Sequence, residues 1–522
     1  MSLYHFRFAA ALLSATALSA TPAFAQDEAA EIEALKAEVA ALKAQLADIS
    51  AKLDKVAAPA PVVKSTTPAP EKAAAEKKAG PEIKFKGAPE ISTADGWSFK
   101  PRGRIHYDTG YVSAPGAFQS RNLGLNSRVR RVRLGAEGSM PGGFGYKVEA
   151  DFANSSVNFA EVFLSYTDDN LGVKIGNFDT LNGFEQISSS NNTSFIERAA
   201  FNDAFLNSRR LGASVAWVSD DKDVRLEGGL FAAHSIDSSF DNDGWIGAAR
   251  LVYAPEAFGG RLHMGLNYQY RDFASNNGGV ASTGVNTPSV NQLARYRARP
   301  NSQLTDIRFV DTGSFAAKSD RIIGVELAGI FDSLYFAGEA QWLKADAYAA
   351  GDLAAGLDAF SGGNVAVTPT GDPAFFGMMA EVGYFLTGET RGYKHGEGVW
   401  NRTTVKNPVS SGGLGAFQIA GRYEYLDLDD SALKNGLTNN FNTGTTTLAA
   451  LNSRLGRGGT QTSYMLGLNW IPVDYVRFLF NYVHVDVEGG PIAISAKPLA
   501  TQPVDQRGYG VDVFAARMQI EF

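Results

Sequence analysis

The sequence predicts an all-β protein, a 16-stranded antiparallel transmembrane β-barrel preceded by a short N-terminal coiled-coil helix. Three observations carry this prediction. Side chains alternate with period two from about residue 96 to residue 522, connections are alternately short and long, and beyond the leader no run approaches the ~20 apolar residues of a membrane-spanning helix. Such alternation averages to neutral hydropathy because lipid-facing and lumen-facing residues take turns along each strand. Composition leans the same way: 55 glycines, 33 phenylalanines and 19 tyrosines in 522 residues suit β structure with interfacial aromatic belts.

Residues 1–25 read as a signal peptide. Arg7 opens it, an apolar run follows from Phe8 to Ala20, and Ala23-Phe24-Ala25 precedes acidic Asp27 and Glu28, which predicts cleavage after Ala25. Export to the outer membrane follows, with the next segment in the periplasm. Within residues 26–56, Ile32, Leu35, Val39, Leu42, Leu46, Ile49, Leu53 and Val56 are spaced by three and four, a heptad pattern. With Ile32 at position a, Glu31 and Glu38 fall at g and Lys36 and Lys43 at e, where partner helices can pair them. Self-association is expected; mixed branching at a and d leaves dimer and trimer both open. Residues 57–95 read as a Pro/Ala/Lys-rich linker, and residues 96–522 as the barrel.

Barrel strands are expected near 96–112, 125–140, 143–153, 157–167, 171–178, 208–219, 223–235 and 244–254. Eight more follow near 260–273, 319–331, 334–346, 373–388, 413–428, 460–472, 475–488 and 507–522. In one of them Leu262, Met264, Leu266, Tyr268 and Tyr270 oppose Arg261, His263, Asn267, Gln269 and Arg271. A water-soluble sandwich shares that alternation, so loop lengths decide. Tight connections such as Pro141-Gly142 and Asp332-Ser333 alternate with the long 180–207, 274–318, 347–372, 429–459 and 489–506, as a barrel with both ends periplasmic requires. One connection breaks the rule, since 389–412 is long yet falls on the short-turn side. The last strand places Phe514, Met518, Ile520 and Phe522 opposite Arg517, Gln519 and Glu521. A terminal amphipathic strand ending on an aromatic residue resembles the signal read by the barrel assembly machinery.

Several function classes drop out. There is no cysteine, so no disulfide, thiolate metal site or cysteine nucleophile. Six histidines form no HExxH pair and no compact Ser/His/Asp arrangement stands out, so no catalytic residue, metal or cofactor is expected. The formal charge of −7, −8 without Arg7, argues against a nucleic-acid partner. Asp427, Asp429 and Asp430 are either a calcium site at an outer loop or a solvated strand end.

Basic side chains instead concentrate on the lumenal face of the first strands. Lys100, Arg102, Arg104 and His106 share one face opposite Phe99, Ile105 and Tyr107. Arg131 and Arg133 share a face opposite Val132 and Leu134, which turns Arg130 towards lipid unless a bulge or the strand's outer end excuses it. Rows of Lys and Arg draw anions by replacing hydration with charge-assisted hydrogen bonds, though any single arginine could equally be a rim charge.

WSFKPRGRIHYD at 97–108, VRRVRLGAEG at 129–138, SFIERAAFNDAF at 194–205, YFLTGETRGYKHG at 384–396, GAFQIAGRYEYLDLDD at 415–430 and LGLNWIPVDYVRFLFNYVHV at 466–485 follow in order along the barrel. Together they resemble the phosphate-selective porin O/P family. The resemblance implies a trimeric porin in outer-membrane lipid, with a loop folded into the pore and a ladder of arginines leading to a narrow site. It assigns Arg104 in the first strand, Arg130 and Arg131 in the second, Arg198 in the inserted loop, and Arg295, Arg297 and Arg299 in an arginine-rich outer loop. Departures from the family stand at Gln186 and Asn191, where lysines are expected, and at Ala160, where an acidic residue is. Fewer cations imply weaker phosphate holding or a wider pore. The expected function is passive diffusion of small solutes, preferentially anions. The alternatives are a general or carbohydrate-type porin without anion specificity, and a structural tether from outer membrane to cell wall through the coiled coil.

Overall fold

The computed structural model describes residues 80–522 except 154–156, 237–243, 274–292, 349–366, 435–436 and 439–455. The predicted signal peptide, the heptads and most of the linker lie outside the described residues. The last part of the expected linker is structured: Glu82–Phe85 and Pro89–Ser92 form a hairpin whose second strand pairs onward with Ser98 and Phe99. This corrects the linker assignment. Ile83 and Phe85 alternate with Lys84 and Lys86 but all four are exposed, and Gly87 at φ 83° makes the turn.

Sixteen antiparallel strands close into a barrel. They are β1 (Ser98–Val112), β2 (Gly124–Met140), β3 (Phe144–Asp151), β4 (Asn158–Asp168), β5 (Leu171–Asp179), β6 (Arg209–Val218), β7 (Val224–Ala232) and β8 (Trp245–Tyr253). The other half is β9 (Gly260–Asp272), β10 (Phe315–Phe331), β11 (Leu334–Ala347), β12 (Ala374–Phe385), β13 (Ala416–Asp427), β14 (Thr460–Val473), β15 (Val476–Glu488) and β16 (Gly508–Glu521). Each strand pairs with the next, and β16 pairs back onto β1 from Val513↔Val112 to Glu521↔Arg104. The seam ends on reciprocal backbone hydrogen bonds between Gly103 and Phe522, 2.9 and 3.0 Å. Closure leaves the wall without a free sheet edge, the condition for crossing a bilayer with strands.

Alternation sorts the side chains in the sense opposite to a water-soluble protein. On β9, Leu266 is 49% exposed while Asn267 is 1% exposed, and on β10 and β11 Ile323 and Trp342 face out while Glu326 and Gln341 are buried. Polar inside and apolar outside is the pattern of a wall immersed in hydrocarbon. Aromatic rings girdle both ends. Trp470 lies between Phe417 and Phe478 at the short-turn end, and Trp245–Tyr270 and Trp342–Phe376 pair at the loop end with centroids 5.3 and 5.1 Å apart.

The interior is packed by connections that turn inwards. Residues 180–208, between β5 and β6, enter the barrel and anchor through Phe184, Phe195, Phe201 and Phe205, all fully buried. Gly377 on β12 gives Phe201 its room, because a β-carbon there would lie 2.4 Å from the Phe201 β-carbon. Residues 293–314 fold in beside them, with Tyr296 and Phe309 buried. From the opposite end comes the anomalous long connection, 386–415, whose Trp400 packs edge-on against Phe184 and Tyr335 at 4.9 and 5.7 Å. A connection that fills the barrel has no reason to be short, which explains its length.

Candidate functional site

The inside of the barrel carries two charged walls with the inserted segments between them. On the first wall the basic row of β1 and β2 lies inside, but most of it is matched by carboxylates. Arg102 pairs with Glu137 at 2.5 Å and Arg104 with Glu149 at 3.1 Å, while Arg133 reaches Glu149 and Asp151 at 2.9 and 2.8 Å. Lys100 donates to the Lys86 carbonyl at 2.9 Å.

A bulge decides the paired arginines. The β1–β2 register shifts between His106 and Tyr107, which oppose Arg131 and Val129, so Arg130 is the extra residue. Both arginines therefore turn inwards. Arg130 pairs with Glu197 of the inserted loop at 3.0 Å. Its lipid-facing placement, which strict parity demanded, is corrected by this irregularity. Arg131 is 5% exposed and has no carboxylate partner: its Nη1 meets His106 Nδ1 at 3.3 Å and its Nε has no hydrogen bond.

Glu197 sits between guanidiniums, since Arg517 of β16 also reaches it at 3.0 Å while holding Asp108 at 2.6 Å. Burial pushes the Glu197 carboxyl up, and Arg130, Arg517 and Arg131 more than reverse this, holding it well below the usual carboxylate range. Arg198, next to it, points back into its own loop and donates to the carbonyls of Glu185 and Ser188 at 2.9 and 2.8 Å. Burial lowers its pKa.

Arginines assigned further out are spread over separate pairs. Arg271 of β9 holds Asp320 at 2.5 Å, Arg295 holds Asp311 at 2.6 Å, and Arg299 reaches Asp306 at 3.1 Å and Asp203 at 3.4 Å. Arg297 makes no side-chain hydrogen bond or ion pair among the described residues. The structure does not gather these four with Arg104 and Arg131 into one cluster.

The second wall, β10 to β13, is acidic. Arg422 of β13 is shared by Glu381 at 2.6 Å, Glu424 at 3.2 Å and Glu185 of the inserted loop at 2.5 Å. Glu339 of β11 accepts from the Glu185 amide and from Gln341, both at 3.0 Å, without a cation. Glu326 of β10 takes Arg250 at 2.6 Å and His263 at 3.1 Å. Sequence reasoning missed this wall, together with Arg391 and Arg477, and gave Arg517 its face but not its partners. Strand parity could have placed Arg422 and Glu424 inside, but no local signal brings Glu185 to them across 237 residues.

Residues 99–498 match the family described as Phosphate-selective porin O and P. The chain belongs to that family. An uncharacterized protein of Caulobacter vibrioides is 32% identical over 89% of this chain and 81% of its own. Porin O of Pseudomonas aeruginosa is 28% identical over 77% of this chain and 86% of its own. The outer membrane channel DcaP of Acinetobacter baumannii is similar in structure, at a TM-score of 0.44 and 12% identity over 83% of this chain and 99% of that one. Family membership and the closed barrel make this a channel of the bacterial outer membrane.

In this porin two of the three positions expected to depart from the family, Gln186 and Asn191, tie the inserted loop to the wall. Gln186 Nε2 donates to Asp179 at 3.0 Å, and Asn191 Oδ1 meets His106 Nε2 at 3.0 Å while its amide donates to Glu521. Ala160 is buried, and its carbonyl accepts from Asn177. Asp427 and Asp430 accept backbone amides, from Asp429 and from Ala432 and Ala374. Among the described residues no group of three or more His, Cys, Asp or Glu could hold a metal ion.

Proposed function

We propose that this porin passes small solutes by passive diffusion and favours anions, phosphate-type anions among them. The observation that supports the preference is the carboxylate-free, buried guanidinium of Arg131, on the wall that the inserted loop faces. A guanidinium with spare donors offers a passing anion hydrogen bonds in place of lost hydration, whereas one locked to Glu149 does not. The chain works, on this reading, as a homotrimer joined through the heptads of residues 32–56, with Phe522 closing the strand that the assembly machinery engages.

A second reading has its own support. Arg102, Arg104, Arg130 and Arg133 are all neutralised, and the acidic wall faces them. Opposed charged walls align dipolar solutes without choosing a sign, as a general or carbohydrate-type porin requires. Swelling rates of proteoliposomes in isosmotic solutes of matched size separate the two. Faster entry of small anions than of sugars or cations is expected; equal rates would leave a general porin, and no swelling would remove the channel itself.

A further inference from the structure

The strongest unassigned feature is a small cavity where segment 386–415 meets the inserted loop and the start of β15. Arg391, Arg402 and Arg477 line it, with Asn401, Asp474 and Glu521. Arg402 is neutralised by Glu521 at 2.8 Å. Asp474 is occupied by the Val405 amide at 2.8 Å. Among the described residues Arg391 and Arg477 form no ion pair, and they are 4% and 5% exposed.

Their hydrogen bonds leave both side chains short of partners. Arg391 donates to the Asn192 carbonyl and stacks on Trp400 and Tyr335, 4.7 and 5.0 Å from the ring centroids. Arg477 donates to the carbonyls of Asn191 and Thr193. The Nε of each is buried without a partner. Two buried guanidiniums that share a cavity with no carboxylate of their own in ion-pair contact are costly, because a charge taken out of water needs an opposite charge close by to offset its lost hydration. A water can fill a vacancy but cannot offset that charge.

We propose that this cavity holds one resident monatomic anion, chloride in the cell, bound between Arg391 and Arg477. Charge asks for an anion there, and the space, about 10 Å³ or room for about one water-sized body, asks for a small one. The ion is structural, not permeant. Arg391 belongs to segment 386–415, Arg477 to the wall, and both donate to consecutive carbonyls of the inserted loop at residues 191–193. Neutralising them together locks the two inserted segments to each other at the short-turn end. The inference goes beyond solute selectivity and holds for an anion-preferring or a general porin alike.

The test uses the full chain purified in detergent. Crystals grown in sodium bromide should show an anomalous bromine peak between the two guanidiniums. Replacing chloride by gluconate at constant ionic strength should lower the Tm by several degrees, and halide should restore it saturably. In R391Q, and in R477M if it folds, the peak and the halide-dependent part of Tm should both be lost. Absence of the peak in the wild-type protein, a water in its place, or a Tm indifferent to halide would each overturn the proposal. Loss of anion preference in transport with the bromine peak intact would instead count against the proposed selectivity alone.

Discussion

Arg130 and Arg131 are adjacent, both inside, and differ in what they touch. Arg130 is spent on Glu197, whereas Arg131 keeps unpaired donors. Neutralising Arg131 should therefore cost selectivity, and neutralising Arg130 should cost stability. R131Q is expected to lower the anion-to-cation permeability ratio by about two-fold or more, because one free lumenal charge disappears. An R131Q channel with unchanged selectivity would show that this guanidinium is not met by solutes. R130Q leaves Glu197 with Arg517 alone, and losing one charge-assisted, part-buried hydrogen bond costs about 1.5–3 kcal/mol, read as a lower Tm.

Glu197 also predicts a pH response. Its folded pKa is depressed, so its contribution is present above the ordinary carboxylate value near ~4.3 and is lost as pH falls from there towards the depressed value. The wild-type Tm should drop as pH goes below ~4.3, and E197Q should start lower and fall less steeply. Parallel curves would mean that Glu197 carries no part of the acid sensitivity. Facing was legible in the sequence at this scale, since parity put Arg102, Arg104 and Arg133 on the faces where they meet Glu137, Glu149 and Asp151. Pairing was not, because Arg130 and Glu197 are 67 residues apart and meet only when the loop turns inwards. The bulge was legible only as an exception that parity required for Arg130 to be lumenal.

At the scale of elements, the anomalous connection is the informative one. Its length broke the short-turn rule, and the structure explains this by folding 386–415 into the barrel. Trp400 packs on Phe184, its amide donates to Ser188, and His395 meets Asp223 at 2.8 Å. Sequence length flagged the segment; nothing in it announced an inward path, because its partners are residues of other strands and of the inserted loop. Deleting 390–403 should widen the passage at the short-turn end and raise single-channel conductance by about two-fold or more, with a loss of stability. Unchanged conductance would mean that the narrowest point lies elsewhere, at the 180–208 loop. Barrel strands were legible within a few residues, because alternation repeats on every one. The hairpin at 82–92 was not, since four-residue strands are too short for periodicity to register against an Ala/Lys/Pro-rich background.

For the whole molecule, the lumen is better described as two opposed walls than as a ladder of free arginines. The basic wall comes from β1, β2, β15 and β16 and the acidic one from β10 to β13, so the two halves of the basic wall join only when β16 closes on β1. That closure makes the cross-section invisible to any local reading of the chain. The family landmarks gave the barrel and its inserted loop, while carboxylates at Glu137, Glu149, Asp151 and Glu197 change what the basic row can do. A modest excess of unpaired guanidinium should leave a modest anion preference, weaker in concentrated salt because the donors are screened. The direct measurement is the zero-current potential of the purified porin in a planar bilayer across a tenfold potassium chloride gradient. The account predicts a conducting channel with a potential of the sign that chloride selectivity sets, shrinking at high salt. A potential of the opposite sign, or no conductance, would contradict it.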